Sequence, residues 1–187
     1  EEVGALLIVD EIQTGIGRTG KFWGFEHFEI IPDIIISGKG LGGGMPIGAF
    51  IAQKNLMDVL KEHPTLGHIT TFGGHPVIAS AGVATVNTIQ NSPLIKDTFE
   101  KEQLIRSLLK HPLIKEIRGK GLMLAALVES PEIAAKIIHR CLANGLILFF
   151  LLFEGRAIRI TPPLTISKKE ISKGCKILLE VLDELSL

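Results

Sequence analysis

Residues 5–20 read "ALLIVDEIQTGIGRTG". An apolar run ends in Asp10 and a glycine-rich turn follows. Gly15, Gly17 and Gly20 match the spacing G-x-G-x-x-G, which in a dinucleotide-binding βαβ unit shapes the turn beneath a pyrophosphate. That fingerprint needs glycines directly at the strand end, a helix opening on the last glycine, and an acid about 20 residues further on, after the next strand. Here Asp10, Glu11, Ile12, Gln13 and Thr14 stand between the run and Gly15. "KFWGFEHF" after Gly20 brings another glycine and three phenylalanines instead of a helix start, and Asp33 precedes the next apolar run. An NAD-binding module on Gly15–Gly20 is therefore the lesser alternative.

The weight moves to Asp10. "ALLIVD" (5–10) reads as a parallel strand buried on both faces, and "DIIISGK" (33–39) and "IGAFIAQ" (47–53) as two further strands. A carboxylate at the C-terminal end of a parallel strand sits where open α/β sheets bind ligands. Lys39 ends the second run in the equivalent place. One acid and one amine would then face one crevice, the pair that pyridoxal phosphate chemistry uses: an amine for the Schiff base and an acid to hold the ring nitrogen protonated. Taken alone the pair also has a plainer reading, with Asp10 capping a turn and Lys39 on the surface.

Beyond these runs the pattern is helical and then mixed. "HPVIASAGVATVNTIQ" (75–90) and "SPLIKDTFEKEQLIRSLLKH" (92–111) have apolar residues at helical spacing with proline near the first turn. Ser92 is a candidate cap for the second. "IKEIRGKGLMLAALVE" (114–129) reads as strand, turn, strand, "SPEIAAKIIHRCLANG" (130–145) as a capped helix, "AIRI" (157–160) as a short strand, and residues 167–185 as an amphipathic helix. "GLILFFLLF" (145–153) reads as a buried strand or strand pair, being far shorter than the ~20 residues that span a bilayer. The expected class is α/β: residues 1–110 as the C-terminal part of a large, mostly parallel-sheet domain, and 111–187 as a smaller α+β domain.

Composition narrows function. With 20 basic and 20 acidic residues the formal net charge is +0, which argues against nucleic acid and membrane surfaces as partners. Cys141 and Cys175 form no C-x-x-C pair, consistent with a reducing, cytoplasmic setting. The 6 histidines lack ligand spacing, so no metal is expected. The chain lacks an initiator Met and enters a strand at once, which predicts an N-terminal part upstream.

Four ordered blocks, "LLIVDEIQTGIGRTGKFWGFE", "PDIIISGKGLGGGMPIGAFIA", "HITTFGGHP" and "RAIRITPPLTIS", resemble the class III aminotransferases, fold type I pyridoxal-phosphate enzymes such as the ornithine, acetylornithine and 4-aminobutyrate aminotransferases. The resemblance spans essentially the whole chain. It implies pyridoxal 5'-phosphate as cofactor and amino transfer from an amino acid or ω-amine to a 2-oxo acid such as 2-oxoglutarate. It makes Lys39 the Schiff-base lysine and proton carrier, Asp10 the partner of the ring nitrogen, and Gln13 the partner of the ring hydroxyl side. Thr71, with Thr70 as helper, matches the threonine that binds the cofactor phosphate from the neighbouring subunit of a homodimer. Arg159 matches the arginine that grips the substrate α-carboxylate in paired hydrogen bonds, and Arg156 is read as a rim residue. The same signature is shared by aminomutases and decarboxylases, which stay as alternatives. The family's glycine-rich phosphate cup and stacking aromatic lie upstream of these blocks, so this portion by itself is expected to be incomplete. His75 stands where the family often carries Asn.

Overall fold

The computed structural model describes residues 3–65 and 67–186 and divides into two compact units. The first comprises residues up to Gly17 together with Lys21–Pro93. The second comprises Arg18–Gly20 together with Leu94–Leu187. The chain thus lends three residues of its opening turn to the second unit before returning to the first.

The first unit holds a three-stranded sheet of β1 (Ile8–Asp10), β2 (Ile34–Gly38) and β3 (Gly48–Ala52), in that order. β1 runs parallel to β2, with Asp10 opposite Ile36. β3 returns antiparallel, with Ser37 opposite Ala49. The physical reason is the connection: residues 39–47 form a short 3-10 turn and a glycine-rich loop, too short for the dozen or more residues of a parallel crossover. The expectation that the first run is buried on both faces is corrected. β1 is an edge strand of this sheet, only residues 8–10 of the run pair, and Leu6, Leu7 and Ile8 stay exposed. The unit also contains the short helix α1 (Lys54–Asp58) and α2 (Pro76–Gln90), with Pro76 in the first turn, where its missing N–H costs nothing.

The second unit carries the continuous core. α3 (Leu94–Leu108) precedes a hairpin of β4 (Glu116–Lys120) and β5 (Met123–Leu127). Then come α4 (Pro131–Ala143), β6 (Phe149–Phe150), β7 (Ala157–Ile160) and α5 (Lys168–Leu185). The sheet is antiparallel throughout, in the order β4-β5-β7-β6. Local signals set the helix ends. Ser130 Oγ accepts the Ile133 N–H at 3.3 Å, and Ser167 with Glu170 forms a reciprocal capping box. Apolar faces of α3, α4 and α5 enclose Ile105, Leu122, Ile137, Ile158, Val181 and Leu182. Cys141 and Cys175 lie in this core as free thiols, and burial pushes each up to about 11, leaving little reactive thiolate at neutral pH.

One further expectation fails. The apolar stretch 145–153 does not form a buried strand pair. Only Phe149–Phe150 pairs, at the sheet edge, and Leu152 and Phe153 are 92% and 101% exposed. No helix among the described residues is long and apolar enough to cross a membrane.

Candidate functional site

Because β1 and β2 are parallel neighbours, both run to the same edge of the sheet, and Asp10 and Lys39 stand there. Asp10 is the last residue of β1. Its Oδ1 accepts the Ile12 N–H at 2.9 Å, which folds the chain away from the strand and leaves Oδ2 free of any protein hydrogen bond among the described residues. Lys39 follows β2 directly. Its φ of +43° is left-handed, an uncommon state for a non-glycine residue that persists only where the surroundings hold it. Two glycines make room for it. A Cβ on Gly38 would come 3.1 Å from the Ile47 carbonyl oxygen, and one on Gly42 would come 3.0 Å from Ile47 Cγ2. Asp10 and Lys39 are both exposed, and neither has an ion-pair partner among the described residues.

Glu11, next to Asp10, has a different job that sequence reading missed. It is 3% exposed. Its Oε2 accepts the Thr14 hydroxyl at 2.6 Å and the Gly24 N–H at 2.8 Å, and its Oε1 accepts the Phe25 N–H at 2.7 Å. Strand pleating explains the contrast: successive residues point to opposite faces, so one carboxylate stays open and the other is buried. We predict that Glu11→Gln costs about 2–3 kcal/mol in urea unfolding, because the new amide turns an N–H toward one of three donors. A loss below about 0.5 kcal/mol would refute the anchoring role. Residues 11 and 24–25 are far apart in sequence, so no local pattern marks the contact.

The glycines of the turn shape backbone. Gly15 admits no Cβ, since one would lie 2.7 Å from the Glu11 carbonyl oxygen, and Gly17 has φ +86°. Ile16, between them, is itself left-handed at φ +57° and buried, and its Cβ lies 3.7 Å from where a Gly40 Cβ would sit. The turn therefore packs against the loop that carries Lys39. After Gly20 the chain runs through turns and bends into a 3-10 turn at Gly24–His27, not into an α-helix.

Gln13 is half-buried in this same turn. Thr70 and Thr71 are exposed in a turn closed by Gly73 N–H to the Thr70 carbonyl at 3.1 Å, shortly before α2. All of these residues belong to the first unit. Arg159 belongs to the second, on β7, where its Nε donates to Thr161 Oγ1 at 3.2 Å. Arg156 is bound by its neighbour Glu154 through two hydrogen bonds at 2.9 and 2.8 Å, and that guanidinium pulls the Glu154 carboxyl down to about 2. An arginine already neutralised in this way suits a rim position.

Known proteins are similar to this chain over nearly its whole length. The family model for "Aminotransferase class-III" matches residues 1–182. The acetylornithine aminotransferase of Caldanaerobacter subterraneus subsp. tengcongensis is 40% identical over 99% of this chain and 47% of its own length. The leucine/methionine racemase of Thermococcus litoralis is 40% identical over 93% of this chain and 41% of its own. Among solved structures, the ornithine aminotransferase of Toxoplasma gondii, with partial occupancy of PLP at its active site, superposes with a TM-score of 0.88 at 33% identity, covering 99% of this chain and 44% of its own. The chain thus spans about half the length of the curated relatives it matches. Its fold is that of the fold type I aminotransferases. Asp10 and Lys39 at neighbouring strand ends, the family match over nearly every residue and the shared fold together place the chain in the class III aminotransferase family.

Proposed function

We propose that the protein to which this chain belongs is a pyridoxal-phosphate-dependent aminotransferase. It moves an amino group from an amino acid or ω-amine of the ornithine, acetylornithine or 4-aminobutyrate kind to a 2-oxo acid such as 2-oxoglutarate. The observation that carries this reading is the Asp10 carboxylate and the Lys39 amine at the ends of adjacent parallel strands, neither in an ion pair among the described residues, with Lys39 held left-handed. That donor set suits the cofactor: a carboxylate for a protonated ring nitrogen, an amine for an aldehyde, and close-packed glycines that let the lysine loop pass the sheet edge.

When bound, pyridoxal phosphate supplies an electron sink for the carbon that loses a proton. The protein's own residues do the rest. Asp10 would keep the proton on the ring nitrogen, and Gln13 would hydrogen-bond the ring hydroxyl side. The Lys39 amine would hold the cofactor aldehyde and would be the group that carries the transferred proton. Thr71, with Thr70 beside it, donates to the phosphate. We assign that phosphate to the site of the neighbouring subunit in a homodimer. Arg159 binds the substrate α-carboxylate through its fork of N–H groups. The balanced charge and buried reduced thiols are in keeping with a cytoplasmic enzyme.

The similarity to the leucine/methionine racemase of Thermococcus litoralis supports a second reading, in which the configuration of the donor carbon is inverted and no amino group is transferred. Supplying the whole protein with 15N-labelled amino donors and 2-oxoglutarate separates the two. Aminotransfer puts the label into glutamate. Loss of optical purity without label transfer establishes the racemase, carbon dioxide release a decarboxylase, and an amino group shifted within the donor an aminomutase.

A further inference from the structure

Arg18 lies in the G-I-G-R-T-G turn, but it belongs to the second unit. Its Nη1 donates to the Leu122 carbonyl at 3.2 Å and to the Pro162 carbonyl at 2.5 Å. Leu122 N–H donates back to the Arg18 carbonyl at 3.0 Å. Gly121 lies so close that a Cβ there would sit 2.6 Å from the Thr19 carbonyl carbon. Arg18 is thereby fixed at both its backbone and its side chain.

Three cations hold one short segment. Arg18 grips Pro162, Arg159 grips the Thr161 hydroxyl, and buried Lys101 donates to the Leu164 carbonyl at 2.5 Å. None of the three has a carboxylate partner among the described residues, whereas Arg106, Arg118, Arg140 and Arg156 all do. Arg159 and Thr161 stand on the wall of an otherwise largely apolar cavity of about 290 Å³. Among the described residues the one acid on that wall, Glu170, is engaged by Ser167 in the capping box of α5. Burial, and secondly the Arg159 guanidinium, push the Arg18 pKa below its ordinary value, as expected for a guanidinium drawn out of water beside a like charge. Such a cluster is costly unless an anion completes it.

We propose that Arg18 is a positioning residue of the carboxylate site at Arg159: it clamps the Thr161–Pro162 turn that orients the Arg159 guanidinium, and its unneutralised charge strengthens the attraction for the carboxylate. The ligand class is a carboxylate-bearing small molecule. The inference rests on the reading of Arg159 as the carboxylate-binding residue, and the test separates the two.

The test uses the whole protein, titrated calorimetrically with glutarate, an unreactive dicarboxylate, and with glutaramide as its uncharged counterpart. Arg18→Met is expected to weaken glutarate about tenfold and to flatten the dependence of its affinity on ionic strength, with glutaramide unaffected. Arg18→Lys is expected to restore the ionic-strength dependence but not the full affinity, because an ammonium lacks the planar fork. A melting temperature for each variant registers any loss of folding separately, and a purely scaffolding Arg18 would not move the salt dependence. If Arg159→Met abolishes glutarate binding and Arg18→Met leaves affinity and salt dependence intact, this inference falls and the assignment of Arg159 stands. If Arg159→Met also leaves glutarate unchanged, both fall.

Discussion

Lys39→Ala is expected to leave the whole protein folded but unable to attach pyridoxal phosphate, so that the visible absorbance band of the lysine-bound cofactor is missing. Amino transfer should fall by about four orders of magnitude, the upper range for removing a positioned proton carrier. The reasoning starts from local geometry. Lys39 is the first residue beyond β2 and is held at φ +43° by a loop packed too tightly for side chains at Gly38 and Gly42. Its side chain is exposed, so shortening it removes little packing and should leave the melting temperature nearly unchanged. Lys39→Arg keeps the charge but not the nucleophile, since the guanidinium stays protonated, and should fail in the same way. Asp10→Asn should behave differently: the cofactor still attaches, but the rate falls because an amide holds no proton on the ring nitrogen. A band that survives Lys39→Ala would sink the assignment of Lys39.

Gly119→Ala is expected to destabilise the second unit by about 3–5 kcal/mol, which is exceptional for adding a single methyl group. Gly119 has φ +108°, and a Cβ there would lie 2.0 Å from the Met123 carbonyl oxygen across the β4–β5 hairpin. The neighbouring backbone must shift, and it is tied down. Arg106 donates to the carbonyls of Ile117 and Gly119 at 2.7 and 2.8 Å, while Glu102 accepts the Gly121 N–H at 2.6 Å. Gly145→Ala is the control: Gly145 also has a positive φ, +82°, but open space around it. It should cost only about 1–2 kcal/mol, the conformational term alone. Urea unfolding followed by circular dichroism measures both. Equal losses for the two variants would show that the hairpin relaxes and that the clash is not decisive.

These two cases mark how far the sequence reaches. The position of Lys39 behind an apolar run, the four family blocks, the β7 strand "AIRI" and the cap at Ser130 are all legible, because each is specified by residues within a few positions of one another. The burial of Glu11 was not legible, since its partners Gly24 and Phe25 lie 13 and 14 residues away. Nor was the exposure of Leu152 and Phe153: hydrophobicity predicts that a residue gains by burial, not that a neighbour exists to cover it.

By itself, the sequence determined the family, the Ser130 helix cap and the acid–amine pair at the strand ends, because caps and motifs act locally. Only the tertiary structure decided that β3 returns antiparallel, that Glu11 is an anchor beside an open Asp10, and that Arg18 joins Arg159 in holding the Thr161–Pro162 turn, neither with a carboxylate partner among the described residues. The last of these rests on a hydrogen bond between residues 144 positions apart. Contacts of that span depend on how the whole second unit packs, and no local pattern encodes them.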